Sequence, residues 1–283
     1  MSARGYLDLI RPVNCAMIGF AVIIGAFVSR PPSVSAVQLT LGFLTGFFLC
    51  AYSMAVNDVY DLEVDKVNRP DRPIPSGKVS AWGASRLSYV MLVAGMACAL
   101  LSSSPLAIAI AAAYAFLSWL YNRRAKQTGI AGNLIVASSL AIPFIYGGAV
   151  SGGSIGGSIL LMMALTAFFS GVGREVVKAM ADVDGDAKRN VNSVARSRGL
   201  GFASVVGALF FVLAVVTSWV PLLTGLASNH PVYTYGVVAP DAIFAYLAVA
   251  IVARHEPASA YRVKRIALAG MTVGLLVFIG GAF

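Results

Sequence analysis

The sequence predicts an all-α, polytopic membrane protein, and three observations carry that prediction. The chain is 58 % hydrophobic and only 12 % charged, with a mean hydropathy of +0.81. Soluble domains carry about 25 % charged residues, so this composition points to lipid as the solvent. Apolar stretches long enough to cross a bilayer recur along the whole chain. Finally, the basic residues fall almost entirely on one side of the implied spans.

The spans lie near 12–29, 36–60, 81–101, 105–122, 130–150, 155–180, 200–222, 233–253 and 263–283, which predicts nine transmembrane helices in a single domain over 1–283. Arg4, Arg11 and Pro12 precede the first, where proline suits a first helical turn. That run is too long for a cleaved signal and is followed by Ser29-Arg30-Pro31-Pro32, so it is expected to stay in the mature protein. The second helix is expected to continue from Ala36 through Asp65, and a loop from Asn68 to Ser80 follows. Prolines at 70, 73 and 75 make that loop a stiff cover suited to lie over a site mouth. Ser102–Pro105 is a tight turn between the third and fourth helices. The fourth ends in Tyr121-Asn122-Arg123-Arg124-Ala125-Lys126, a cationic cluster that serves either as a topology signal or as a diphosphate clamp. The fifth is rich in small residues and leads into a Gly/Ser turn over 147–157, which suits close helix packing. The last three helices are nearly featureless apart from an inner loop over Arg254–Arg265.

With the amino terminus in the cytoplasm, only Arg30 of the 21 Lys and Arg residues falls outside. The inner side then carries 20 basic and 11 acidic residues, and the outer side only Arg30 and Asp241. Nine spans satisfy the positive-inside rule, whereas eight or ten break it, and the expected location is the cell membrane. The pI of about 9.7 does not call for nucleic acid. The basic residues sit in short loops beside apolar spans, where they meet anionic headgroups or a phosphorylated substrate. Cys15, Cys50 and Cys98 fall inside spans and read as small core residues; His230 and His255 lie in opposite loops and support no histidine chemistry.

Two stretches stand out from the apolar background. From Asn57 to Gly77 the chain carries four Asp, one Glu and three Pro. On a continuous helix, Asn57, Asp61 and Asp65 stack up one face at four-residue steps. The sixth helix ends in a second such stripe, Arg174, Lys178, Asp182 and Asp186, with the cations deeper and the carboxylates nearer water. Carboxylates this close repel one another unless cations neutralise them, and hard oxygen ligands at this density suit Mg2+, which retains waters and bridges to phosphates. Two such ladders on one membrane side suit a diphosphate neutralised by Mg2+ and by Lys126, Arg174 and Lys178, with an apolar tail running into the interior.

Asn57-Asp58-x-x-Asp61-x-x-x-Asp65 and Asp182-x-x-x-Asp186, on a chain of nine expected spans, resemble the UbiA superfamily of intramembrane prenyltransferases. The resemblance covers essentially the whole chain. It implies a helical bundle around a central cavity, a polar cap on the cytoplasmic side, and Mg2+-dependent ionisation of an isoprenyl diphosphate followed by capture of the allylic cation. By that resemblance Asn57, Asp61, Asp65, Asp182 and Asp186 hold the metal ions, with Asp58 in support. Asp61, Asp65, Asp182, Asp186 and Lys178 would carry catalysis. Asn57, Asp58, Asn68, Arg69, Arg72, Lys126 and Arg174 would bind substrate.

Within the family, the stretches over 68–77 and 173–186 are most similar to the archaeal ether-lipid branch. That implies a geranylgeranyl diphosphate donor and, as acceptor, the sn-2 hydroxyl of geranylgeranylglyceryl phosphate in the membrane. The chain departs from the branch pattern at Ala179-Met180-Ala181, where more acidic residues are expected. An aromatic prenyltransferase acting on a 4-hydroxybenzoate-like ring shares the same ionisation step. It differs in needing one cationic contact for its acceptor, where Arg69, Arg72 and Lys78 offer a surplus. An ion-coupled transporter is the alternative from another class; it requires ionisable residues near the bilayer midplane and an outward route, and the carboxylates here are confined to one side.

Overall fold

A computed structural model describes residues 2–29, 31, 33–188, 191–226 and 231–282, the side chains of residues 68, 158, 187, 188, 281 and 282 excepted. Arg30 and His230 lie outside the described residues. All regular structure among the described residues is helical, and eight helices are individually long and apolar enough to cross a membrane. The remaining expected span, 12–29, is α2 (Pro12–Val28), which counts as a ninth crossing together with α1 (Ala3–Ile10), a helix that meets it at 44°. The bend has a local cause. A residue before proline is pushed out of the right-handed helical region, and Arg11 adopts φ 52°, ψ 67° before Pro12 restarts the helix.

The remaining helices are α3 (Ala36–Tyr60), α4 (Leu62–Asn68), α5 (Ala81–Leu101), α6 (Pro105–Arg123), α7 (Ile130–Ser151), α8 (Ser158–Ala181), α9 (Val183–Lys188), α10 (Val194–Arg198), α11 (Leu200–Leu223), α12 (Pro231–Gly236), α13 (Val238–Ala253) and α14 (Pro257–Ala282). Two expectations need correction. The second transmembrane helix does not run unbroken to Asp65, because α3 stops at Tyr60 and α4 restarts after Asp61. The last helix begins at Pro257 rather than near 263, so Lys264 and Arg265 stand on α14 and the loop between α13 and α14 shrinks to 254–256. Proline at a first helical turn loses no hydrogen bond, which explains the early start.

The chain forms two compact units. The first comprises Met1–Arg123 and Tyr146–Ser154. At its centre α3 packs against α1, α2, α5 and α6. A capping box fixes the start of α3: Gln38 N donates to Ser35 Oγ (3.1 Å) while Ser35 N donates to Gln38 Oε1 (2.9 Å). The proline-rich stretch is a packed coil of turns. Ile74 and Val79 are buried with Leu9, Ala55 and Ala84, and backbone hydrogen bonds join Arg72 N to Arg69 O, Ser76 N to Arg72 O and Val79 N to Pro73 O, each at 3.0 Å. Arg86 lies 4.5 Å over Trp82 at the start of α5 and Arg123 lies 5.0 Å over Trp119 at the end of α6. These pairs mark one end of two adjoining antiparallel helices, as interfacial aromatic and basic residues do.

The second unit comprises Arg124–Ile145 and Ile155–Phe283. Here α8 is central and packs against α11 and α14. Side chains would not fit at the crossing of α8 and α11. A Cβ at Gly173 would lie 2.7 Å from the Phe211 ring, and one at Gly207 would lie 2.9 Å from Val177, so the two backbones approach closely, as small residues allow in membranes. The core joins Val172, Val176, Val177 and Met180 of α8 to Phe211, Phe244, Leu247 and Ile251. Met180 is fully buried there, which accounts for an apolar residue where the family pattern led us to expect an acid.

Candidate active site

The first acidic motif spans the break between α3 and α4. The helical hydrogen-bond ladder persists across it: Asp61 N donates to Asn57 O (2.9 Å) and Asp65 N to Asp61 O (2.8 Å). The four-residue stacking of Asn57, Asp61 and Asp65 thus survives as backbone connectivity even though the helix is interrupted at its middle member. Asn57 and Asp61 are half-buried, and Asp65 is buried. Asp58 points elsewhere, is 3 % exposed, and accepts on one oxygen, Oδ1, from Arg11 Nη2 (2.8 Å) and Arg72 Nη1 (3.2 Å). Arg72 Nη1 also reaches Asp65 Oδ2 (2.5 Å), so one guanidinium ties the proline-rich loop to two carboxylates of the motif. Arg69 is exposed; the side chain of Asn68 lies outside the described residues.

The second motif repeats the construction. α8 stops at Ala181 and α9 restarts at Val183, while Asp182 N donates to Lys178 O (3.0 Å) and Asp186 N to Asp182 O (2.9 Å). Asp182 is half-buried and accepts from Lys264 Nζ of α14 at 3.1 Å; Asp186 is buried. One and two turns deeper, Lys178 and Arg174 both face the buried carboxylate of Glu175. Arg174 Nη1 donates to Oε1 (2.7 Å) and Lys178 Nζ to Oε2 (3.0 Å). Lys126 sits on a short 3-10 turn, Ala125–Gln127, whose Gln127 O accepts from Asn192 N (3.1 Å), and Val191 N donates to Asp186 O (3.0 Å). The turn that carries Lys126 is thereby linked through the backbone to the end of the second motif.

Among the described residues, no three His, Cys, Asp or Glu side chains converge closely enough to cage a metal ion. Asn57, Asp61, Asp65, Asp182 and Asp186 are a set of hard oxygen donors without a nitrogen or sulfur ligand. That chemistry fits Mg2+, which takes one or two carboxylates and completes its octahedron with water and substrate phosphate, and does not fit a fully protein-ligated ion.

The profile of the UbiA prenyltransferase family matches residues 18–275. The chain belongs to the UbiA prenyltransferase family. It is therefore a multi-pass membrane prenyltransferase. A digeranylgeranylglyceryl phosphate synthase from Archaeoglobus fulgidus is 38 % identical over 278 residues, covering 98 % of this chain and 94 % of the relative. A solved structure of a digeranylgeranylglyceryl phosphate synthase superposes with a TM-score of 0.77 at 30 % identity, covering 99 % of this chain and 98 % of the other. A UbiA homologue from Archaeoglobus fulgidus, solved with GPP and Mg2+, shares the fold with a TM-score of 0.70 at 19 % identity, over 97 % of this chain and 99 % of that one.

Within this UbiA chain, three side chains in the acidic motifs' surroundings went unassigned from the sequence. Glu175 carried a readable signal, because a Glu three residues before Lys178 pairs with it on a helix face. Arg11 was visible only as a basic residue beside Pro12. Lys264 lies 82 residues beyond its partner Asp182 and gave no local signal.

Proposed function

We propose that this chain is a Mg2+-dependent transferase of the archaeal ether-lipid branch. It moves a geranylgeranyl group from geranylgeranyl diphosphate to the sn-2 hydroxyl of geranylgeranylglyceryl phosphate. The observation that carries this reading is similarity over essentially full length, 38 % identity to a digeranylgeranylglyceryl phosphate synthase, on a chain whose two acidic motifs repeat one construction. Asn57, Asp61, Asp65, Asp182 and Asp186 would ligate the metal ions of the donor. When bound, Mg2+ neutralises the diphosphate and makes it a better leaving group.

The protein's own groups do the rest. Lys178 and Arg174, with Lys126, supply positive charge that grows in value as the C–O bond of the donor breaks and negative charge collects on the diphosphate. Arg69 and Arg72, with Asn68, hold the polar end of the substrates. The proline-rich loop limits bulk water, so that the acceptor hydroxyl rather than solvent forms the new C–O bond and gives up its proton. The two units act as one domain, with the amino terminus in the cytoplasm and the isoprenyl tails in the bilayer-facing interior. The surplus of Arg and Lys near the first motif favours a phosphorylated glycerol lipid over a benzoate.

Product analysis tests the reading. Purified protein receives geranylgeranyl diphosphate, Mg2+, geranylgeranylglyceryl phosphate and 4-hydroxybenzoate together, and mass spectrometry identifies the product. The diether phosphate is expected. A prenylated benzoate would move the chain to quinone synthesis, and failure to consume the donor would remove it from prenyl transfer.

A further inference from the structure

Glu175 is charged, 5 % exposed, and set in the apolar α8 between the fully buried Val172 and Val176. Such a carboxylate is costly within a membrane span unless its partners recover the lost hydration. Its two oxygens are divided, Oε1 to Arg174 Nη1 at 2.7 Å and Oε2 to Lys178 Nζ at 3.0 Å. Arg174 and Lys178 stand four residues apart, a spacing at which like charges repel on a helix. Without an anion they would swing apart into separate rotamers, because both stems are long and flexible.

We infer that Glu175 is a positioning residue: a buried carboxylate that holds Arg174 and Lys178 as one two-pronged cation for the diphosphate of the donor. This rests on the functional reading above for the identity of the anion. Backbone geometry makes Glu175 suited to the task. Gly173, next to Arg174, brings α8 against α11, so the base of the clamp is fixed by close helix packing. The carboxylate lies one residue off the stripe of Lys178, Asp182 and Asp186, which leaves the stripe for metal and substrate. Its role is to aim two cations and to restrict their entropy, and it does not touch the reacting atoms.

The sign of one measurement separates positioning from simple charge balance. If Glu175 only neutralised its neighbours, removing its charge would leave the site more cationic and inorganic pyrophosphate would bind more tightly. If Glu175 positions them, pyrophosphate binds more weakly. The full-length protein in lipid nanodiscs, with Mg2+ present, is titrated calorimetrically with pyrophosphate as wild type, Glu175→Gln, Lys178→Ala and the double variant. Glu175→Gln is expected to weaken binding about tenfold, the scale of losing a charge-assisted hydrogen bond, and to add little to Lys178→Ala, since both disable the same clamp. In turnover, the donor KM rises about as much while the acceptor KM stays fixed.

Glu175→Asp keeps the charge and shortens the reach. It is expected to restore part of the affinity, and it supplies the same comparison if the Gln variant does not fold. Tighter or unchanged pyrophosphate binding in the variants, full additivity in the double variant, or no binding by wild type would overturn the inference. Because binding is read without turnover, a wild type that fails to consume geranylgeranyl diphosphate would refute the proposed activity while the binding comparison still decides the role of Glu175.

Discussion

The two acidic motifs are built alike and assembled differently. Each breaks a long helix at the first acid of its ladder, Asp61 in one and Asp182 in the other, and each keeps one buried carboxylate off the ladder to hold two cations. In the first motif that carboxylate is Asp58, whose cations arrive from 47 residues upstream and 14 downstream. In the second it is Glu175, whose cations are its own helix neighbours at one and three residues. The first motif therefore depends on tertiary structure, since it draws together the α1–α2 bend, α3 and the proline-rich loop. The second carries its clamp within a single helix, and Lys264 reaches its Asp182 from 82 residues downstream.

The largest expected effect tests what the motifs share. Asp61→Ala and Asp182→Ala each remove an oxygen ligand, so kcat/KM should fall about a hundredfold or more in both. Circular dichroism should report an unchanged helical fold, because removing a carboxylate relieves repulsion among those that remain. Near-normal turnover of either variant at saturating Mg2+ would break the equivalence of the two motifs.

Next comes the local clamp. Lys178→Ala should slow single-turnover ionisation of the donor by about ten- to a hundredfold. Lys178→Arg should recover only part of this, because a planar guanidinium meets both Glu175 and a phosphate differently from an ammonium. Full recovery in the Arg variant would mean that charge alone matters there.

Stability should separate the motifs in the opposite order. Arg72→Ala leaves Asp58 with one partner and Asp65 without that guanidinium, at a cost of about 1–3 kcal/mol. Hydrogen exchange should speed up over 69–79, where Arg72 ties the loop down. Lys178→Ala should leave exchange along α8 unchanged, since Glu175 retains Arg174. Equal exchange behaviour in the two variants would erase the distinction between tertiary and local assembly.

The smallest effect concerns the loop alone. Replacing Pro70, Pro73 and Pro75 together by Gly loosens the unfolded chain by about 0.4–1 kcal/mol per site. Ile74 and Val79 continue to anchor the segment, so donor binding should stay within a few fold. The ratio of free prenyl alcohol to ether product in a single turnover should rise, since a looser cover admits water. An unchanged ratio would give the loop a part in assembly only.

Most of the fold was legible because lipid imposes a simple rule: long apolar runs become helices, and their ends fell within a few residues of expectation. The misses occurred where local chemistry overrode hydropathy. Arg11 before Pro12 set a separate bent helix, α1, ahead of the first span, Asp61 broke α3, and Pro257 started the last helix early enough to bring Lys264 into it. The ladders themselves were readable from four-residue spacing. Cations were readable where they share a ladder's stripe, as Arg174 and Lys178 do; the Arg11–Asp58 and Lys264–Asp182 pairs required the chain to be folded.

The Lys264–Asp182 contact also bears on how the protein comes into being. A membrane protein is threaded into the bilayer as it leaves the ribosome, at about 5–20 residues per second. Asp182 precedes its lysine by 82 residues, so the second motif waits several seconds, through the synthesis of α11, α13 and the first two turns of α14, before that partner exists. Throughout this interval Asp182 stands at the edge of the membrane without that lysine, and a ribosome stalled before residue 264 leaves behind a product that has every ladder residue but lacks the Lys264–Asp182 pair.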